Sequence, residues 1–408
     1  MKMKKGVNVK EWVKDALKKG YSNIEIVNLL RQSNYPEEEI KQVLGVCDTL
    51  NKIDKLILKE PEKIEQEKKE ILELQTPESE LKKEAKEIPN HKEVIEIAAL
   101  VSKIKKEMAK VVIGQDKVID IIICALICDG HVLLEGIPGI AKTLIIKTLA
   151  EVSGCSSSRV QFTVDLLPTD ILGITSYSPK KGFEVIKGPI FANFIIADEI
   201  NRSPPKTQSA MIEAMQEKQV TIGKETFKLP IPFFVMANNN PIETGGVYTL
   251  PEAQIDRFLF KVNIGYPKMN EEKIIMAENI TLKKFKDFNI KPVLSPKKII
   301  DMQKIAKRIY LDDKIKDYIF KIVDKTRKKD FENGQYIEWG SSPRASIGLF
   351  IASKAWALMR GRNYVIPKDV KDIAHYVLRH RIILNYKARA EKLDSDKLID
   401  EILGMIII

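Results

Sequence analysis

The chain predicts an α/β protein: a parallel sheet between helices, followed by an all-helical C-terminal region and preceded by a small all-α module. Three observations predict that class. The apolar runs Val132-Leu133-Leu134, Phe194-Ile195-Ile196-Ala197 and Phe233-Phe234-Val235-Met236-Ala237 are short and continuous, as strands buried on both faces of a parallel sheet are. Each run ends in glycine, carboxylates or asparagines. Toward the C-terminus, Ile347, Leu349, Phe350, Ala352, Ala355 and Leu358 recur at helical spacing instead.

Composition bounds what these elements can belong to. With 408 residues, 44% hydrophobic and 30% charged, the chain is long enough for two or three domains with cores of their own. No segment approaches the roughly 20 uninterrupted apolar residues of a membrane helix. The basic start Met1-Lys2-Met3-Lys4-Lys5 has no apolar stretch behind it, so no membrane span and a cytoplasmic location are expected. Cys47, Cys124, Cys128 and Cys155 are too few and too irregular for a disulfide framework, and Cys124 and Cys128, four apart on one helix face, are read as small core residues. The net charge of +11 comes from lysines interleaved with glutamates along the whole chain, which favours solubility over a nucleic-acid surface without ruling one out.

Residues 1–50 read as three short amphipathic helices. The first, from Val9 to Lys19, stops at Gly20; Ser22-Asn23-Ile24-Glu25 is a capping box for the second; Pro36 opens the third, with Ile40, Val43 and Leu44 inward. Such a bundle resembles ubiquitin-associated or helix-turn-helix-like docking modules at the level of fold only. Residues 51–92 are rich in Lys, Glu, Ile and Leu, punctuated by Pro77 and Pro89 and without a sustained heptad, and read as a charged linker.

The next landmark is Gly136-Ile137-Pro138-Gly139-Ile140-Ala141-Lys142-Thr143, between the first apolar run and a helical stretch. A strand, a glycine-bearing turn and a helix bring backbone N–H groups and a helix N-terminus onto one anion, the context of a phosphate-binding loop. Lys142 is placed to reach the β- and γ-phosphates of ATP and Thr143 to hold Mg²⁺. Ala141 stands where such loops usually carry a glycine, which a negative φ tolerates. Just ahead, Val112-Ile113-Gly114-Gln115 reads as a turn over an adenine, with Ile113 the candidate base contact.

The run Phe194–Ala197 delivers Asp198 and Glu199 to the carboxyl edge of the sheet. Asp198 suits the Mg²⁺ shell and Glu199 a general base acting on water. The third run ends in Asn238-Asn239-Asn240-Pro241, where an amide can orient water against a γ-phosphate.

Here the sequence resembles the MoxR family of AAA+ ATPases over residues 96–408. The resemblance is carried by the phosphate loop, by Ala197-Asp198-Glu199-Ile200-Asn201-Arg202-Ser203-Pro204-Pro205-Lys206-Thr207-Gln208-Ser209-Ala210 and Glu213-Ala214-Met215-Gln216-Glu217, and by two later motifs. These are Leu250-Pro251-Glu252-Ala253-Gln254-Ile255-Asp256-Arg257-Phe258 and Ser342-Pro343-Arg344-Ala345-Ser346. Ala141 fits the family loop; Ala237-Asn238-Asn239-Asn240-Pro241 departs from the family's Ala-Thr-Gln-Asn-Pro, leaving Asn240 as the polar sensor.

The resemblance implies a five-stranded αβα nucleotide-binding core over 93–266, a helical lid over 267–408 and an ATP-hydrolysing ring, a hexamer of identical subunits. It implies remodelling, maturation or activation of client proteins, often with a von Willebrand factor A domain. Arg257 is implied as a finger on a neighbouring subunit's ATP, and Arg344 opens a helix from which its guanidinium can reach back to the γ-phosphate. Two hairpins are implied as insertions, one across Leu166–Gly173 and Tyr177–Phe183, the other across Gln219–Phe227 with its turn at Gly223. A helicase of the minichromosome-maintenance type and a chelatase-type motor subunit are the alternatives from the same AAA+ branch. Trp339 and Trp356 are expected in the core, and no histidine is given a catalytic role.

Overall fold

Five parallel strands lie in the order β2-β5-β8-β1-β9 and set where everything else sits. The computed structural model describes residues 88–406, apart from 138–141, 181, 241–246 and 278–284, together with Leu30. The expected N-terminal helices, most of the linker, and Pro138, Gly139, Ile140 and Ala141 of the phosphate loop lie outside the described residues.

Two helices precede the sheet, α1 (His91–Met108) and α2 (Asp116–Ile127). The first starts where it does because Asn90 and Glu93 exchange side-chain-to-backbone hydrogen bonds, each 2.9 Å, satisfying two N–H groups of the first turn. The core then runs β1 (Val132–Gly136), α3 (Lys142–Val152), β2 (Ser157–Gln161), α4 (Pro168–Leu172), β3 (Gly173–Ser178), β4 (Gly182–Lys187), β5 (Phe194–Asp198), α5 (Pro205–Glu217), β6 (Gln219–Ile222), β7 (Glu225–Lys228), β8 (Phe234–Asn239), α6 (Glu252–Ile255) and β9 (Phe260–Ile264). Side chains alternate across the sheet as the period of a strand requires. Val132, Leu134, Phe194, Ile196, Phe234 and Met236 pack into one core with α1–α3, while Leu133, Ile195, Ala197, Val235 and Ala237 pack into a second with α5.

Both hairpins are present, one of them shifted from its expected position. Pro168–Leu172 forms a helical turn, with Pro168 at the start where its missing N–H costs nothing. The first hairpin is therefore β3–β4, Gly173–Lys187, with Tyr177 paired to Phe183 across it. The second, β6–β7, turns at Gly223, whose φ of +64° a side chain would resist.

The C-terminal region contains α7 (Met269–Ala277), α8 (Pro296–Arg308), α9 (Asp313–Lys328), β10 (Ile337–Trp339), α10 (Pro343–Met359), α11 (Pro367–Leu378), β11 (Ile383–Leu384), α12 (Tyr386–Ala390) and α13 (Ser395–Met405). Trp356 of α10 is buried, but Trp339 is 66% exposed, contrary to expectation. The register between β10 and β11 slips between Ile337 and Trp339, so the alternation that buries Ile337 does not carry on to Trp339. No described helix is long and apolar enough to cross a membrane.

Candidate functional site

Because every strand of the sheet is parallel, the residues that close β1, β5 and β8 meet along one edge. The chain leaves β1, passes β8 and β5 to reach β2, then returns and crosses β1 to β9, which opens a crevice at the carboxyl end of β1. Gly136 ends that strand and Lys142 begins α3. Lys142 is buried, and its ammonium donates to the carbonyls of Gly136 at 2.6 Å and Asn239 at 3.3 Å, so strand ends β1 and β8 hold it from two sides. A buried ammonium needs such acceptors, and both are backbone oxygens that carry no counter-charge.

Asp198 ends β5 fully hydrogen-bonded. Oδ2 accepts from Thr143 Oγ1 at 3.2 Å and from Arg159 Nε at 2.9 Å, while Oδ1 accepts from the Asn238 amide. Immediately after it the chain turns left-handed: Glu199 has φ +55° and ψ +50°, a conformation a non-glycine residue adopts only when its surroundings impose it. Asn238 imposes part of it, accepting the Glu199 N–H through Oδ1 at 2.6 Å. The Glu199 carboxylate accepts from Arg202 at 2.9 Å and from Gln161 at 2.8 Å. One asparagine thus fixes the carboxylate of one acid and the backbone of the next.

Asn240, the expected sensor, is buried just beyond the end of β8. Asn239 Oδ1 beside it is buried without a hydrogen-bond partner, an acceptor that calls for a donor at this strand end. Ile113 is half-buried in a turn where Gly114 and Gln115 have φ of +71° and +60°. The Gln115 amide reaches the carbonyl of Gly265 at 3.1 Å, tying this turn to the exit of β9 and so to the same sheet edge.

The donor set fits Mg²⁺. A hydroxyl facing a carboxylate offers hard oxygens, and Mg²⁺ takes one or two of these and completes its octahedron from phosphate and water. No cluster of three or more His, Cys, Asp or Glu occurs among the described residues, so no all-protein cage competes with that arrangement.

Arg257 and Arg344 are not at this edge. Leu259 donates its N–H to His131 O at 2.9 Å, which sets the segment before β9 at the amino end of β1. From His131 to Gly136 the strand runs about 16 Å. Arg257 donates to Ala253 O at 2.6 Å and to the Gln216 amide oxygen, and Arg344 donates to Asp256 at 3.3 Å. The structure therefore brings Lys142, Thr143, Asp198 and Glu199 together, with Asn238 and Arg159 as partners the sequence reading missed. It gathers the two arginines at the opposite end. Arg159 was hidden because β2 is an edge strand of mostly polar residues; Asn238 was legible only as one of three amides at a strand end.

Residues 131–260 match the ATPase family associated with various cellular activities (AAA), and residues 331–402 match the AAA lid domain. The chaperone MoxR1 of Mycobacterium tuberculosis is 44% identical over 306 residues, 74% of this chain and 80% of that protein. The protein YeaC of Bacillus subtilis is 42% identical over 298 residues, 73% of this chain and 91% of that protein. A crystal structure of a protein from Cytophaga hutchinsonii is similar with a TM-score of 0.73 at 40% identity, covering 78% of this chain and 97% of that one. With an AAA domain and an AAA lid domain matched and a 44% identical MoxR chaperone aligned over most of both chains, the chain belongs to the MoxR family of AAA+ ATPases.

Proposed function

We propose that the cluster at the carboxyl ends of β1, β5 and β8 binds ATP with Mg²⁺ and hydrolyses it, in a cytoplasmic hexameric ring that remodels, matures or activates client proteins. Clients with a von Willebrand factor A domain are included. The observation that carries the reading is the meeting of Lys142, Thr143, Asp198 and Glu199 on three adjacent strand ends, with Asn238 bridging the two acids. Gly136, Pro138, Gly139, Ile140 and Ala141 form the phosphate loop, Lys142 supplies the positive charge, and Ile113 contacts the base. Thr143 and Asp198 hold Mg²⁺, which when bound neutralises charge on the phosphates. Glu199, held by Arg202 and Gln161, takes the proton of the attacking water, and Asn240 orients that water.

Arg257 lies in the segment whose Leu259 meets the amino end of β1, and Arg344 is tied to Asp256 of that segment, away from the strand ends that gather Lys142 and Glu199. On this reading both act on the ATP of the next subunit. The core of 93–266 and the lid of 267–408 form the motor, and the 1–50 module and 51–92 tether recruit clients. The β3–β4 hairpin supports the client reading, since its paired Tyr177 and Phe183 are 64% and 79% exposed.

The test is a Glu199→Gln variant used as a trap. ATP-dependent co-purification of a protein, together with wild-type ATPase activity that DNA and RNA leave unchanged, is expected. Stimulation by either nucleic acid, with no protein retained, would overturn the client reading in favour of a nucleic-acid motor.

A further inference from the structure

Between α6 and β9 lies Asp256-Arg257-Phe258-Leu259, the segment that carries the arginine just assigned to a neighbour's ATP. The C-terminal region grips it chiefly through one side chain. Arg381, between α11 and β11, is 6% exposed and spends every one of the five N–H donors of a guanidinium. Nε donates to Asp256 Oδ1 at 2.8 Å; one terminal nitrogen donates to the carbonyls of Asp256 at 3.0 Å and Phe258 at 2.8 Å; the other donates to Leu259 O at 3.2 Å and to Val377 O. The carbonyls on both sides of Arg257 are thus gripped by one planar fork, a geometry an ammonium cannot reproduce.

The Asp256 carboxylate does a second thing. Besides Arg381 it accepts from Ser342 Oγ, at 3.1 Å and 3.2 Å to its two oxygens, and from Arg344 at 3.3 Å. Ser342 and Arg344 flank the start of α10. One carboxylate therefore ties the segment leading into β9 to the helix that presents Arg344.

We propose that Asp256, anchored by Arg381, is a positioning residue that sets Arg257 and Arg344 as a pair for the neighbouring subunit's phosphate. This rests on the assignment of both arginines to the neighbour's ATP. It adds that their placement is fixed within one subunit, through the Asp256–Arg381 ion pair, rather than by ring assembly. A guanidinium that must meet a developing charge within a fraction of an ångström is only as good as the backbone that carries it. Asp256 touches no nucleotide and acts through the two arginines.

The full chain with Asp256→Asn keeps the side-chain size and one acceptor but loses the charge that pairs with Arg381 and Arg344. Its affinity for a fluorescent ATP analogue should stay within about twofold of wild type, because its own phosphate loop is untouched, while kcat falls at least about tenfold. Mixing separates a positioning role from a merely structural one. With Glu199→Gln, Asp256→Asn should regain activity, since an interface then joins an intact Glu199 to intact arginines. With Arg257→Ala it should stay inactive, because both subunits present a damaged arginine face. Asp256→Glu, which restores the charge, should recover part of kcat. If Asp256→Asn fails to fold, Ser342→Ala removes one hydrogen bond from the same carboxylate and should show the same mixing pattern with a smaller drop. The control mixture of Arg257→Ala with Glu199→Gln tests the underlying assignment alone. If that control is active while Asp256→Asn stays inactive with Glu199→Gln, or if Asp256→Asn weakens ATP binding in step with kcat, the positioning role is overturned.

Discussion

The two ends of the central sheet bury polar groups in opposite ways. At the carboxyl end, Arg159, Asp198, Glu199 and Arg202 form a charged network in which Asn238 and Gln161 are neutral links, with Lys142 held beside it by backbone carbonyls. At the amino end, the buried His131 sits between strand and helix, its Nδ1 accepting the N–H of Val235 at 3.1 Å and its Nε2 lying 3.0 Å from Met215 O. That pair of contacts fixes a neutral ring with the proton on Nε2, and burial pushes its pKa down to about 4. The histidine satisfies two backbone groups and has nothing left to give. The carboxyl end, by contrast, gathers charged side chains along with the unpartnered Asn239 Oδ1. Under the proposed function, one end is spent on stability and the other on chemistry.

The comparison breaks first at Arg257, which lies toward the amino end yet is assigned to catalysis. Arg257→Ala should bind ATP normally and lose about 10³–10⁵ in turnover, the worth of an arginine finger in other nucleotide hydrolases. Wild-type specific activity should also rise with protein concentration as rings form. A variant with full activity, or a wild type whose specific activity does not depend on concentration, would leave Arg257 a local structural residue. Next in size is Glu199→Gln, expected to lower turnover by about 10²–10⁴ at unchanged ATP affinity, as loss of a general base does. Lys142→Ala should act on the other parameter, weakening ATP binding by roughly tenfold or more. All three should leave the thermal unfolding temperature close to wild type. A large fall in that temperature in the Glu199 variant would mean that the carboxyl end, too, is spent on stability.

How much of this could be read from the chain follows the same division. The three apolar runs became β1, β5 and β8, and Gly136 and Asp198 close two of them with Glu199 just beyond, because continuous hydrophobicity and glycine are local signals. Edge strand β2 was not legible, since Ser157-Ser158-Arg159-Val160-Gln161 buries Val160 alone and looks like a loop. Arg159 and Gln161 were lost with it, although they are the partners of Asp198 and Glu199. Arg381 was invisible for a different reason. Its meaning lies in contacts across more than a hundred residues of sequence, with Asp256, Phe258 and Leu259. Trp339 was misjudged because a register slip, not hydrophobicity, decides which way it faces.

The smallest expected effect tests the amino end itself. The folded pKa of His131, about 4, lies below the ordinary value of about 6.5 that the unfolded chain restores. As pH falls the unfolded state therefore takes up the proton first. The contribution of this residue is complete above about pH 6.5, shrinks between there and about pH 4, and below that is gone. Its size is about 2 kcal/mol by pH 5 and on the order of 3 kcal/mol across the window. His380 adds in the same direction, since burial, and then the adjacent Arg381, hold it well below its ordinary value. Carboxylates also contribute to any acid transition, so the wild-type curve alone decides nothing. His131→Gln keeps an acceptor and a donor but cannot titrate. Its unfolding temperature should fall less between pH 7.5 and pH 5 than that of wild type, and its ATP turnover at pH 7.5 should match wild type, because no group of the carboxyl-end cluster touches it. Parallel pH curves for the two proteins would show that His131 is not a seat of acid sensitivity. A loss of turnover at pH 7.5 would show that the two ends of the sheet are coupled after all.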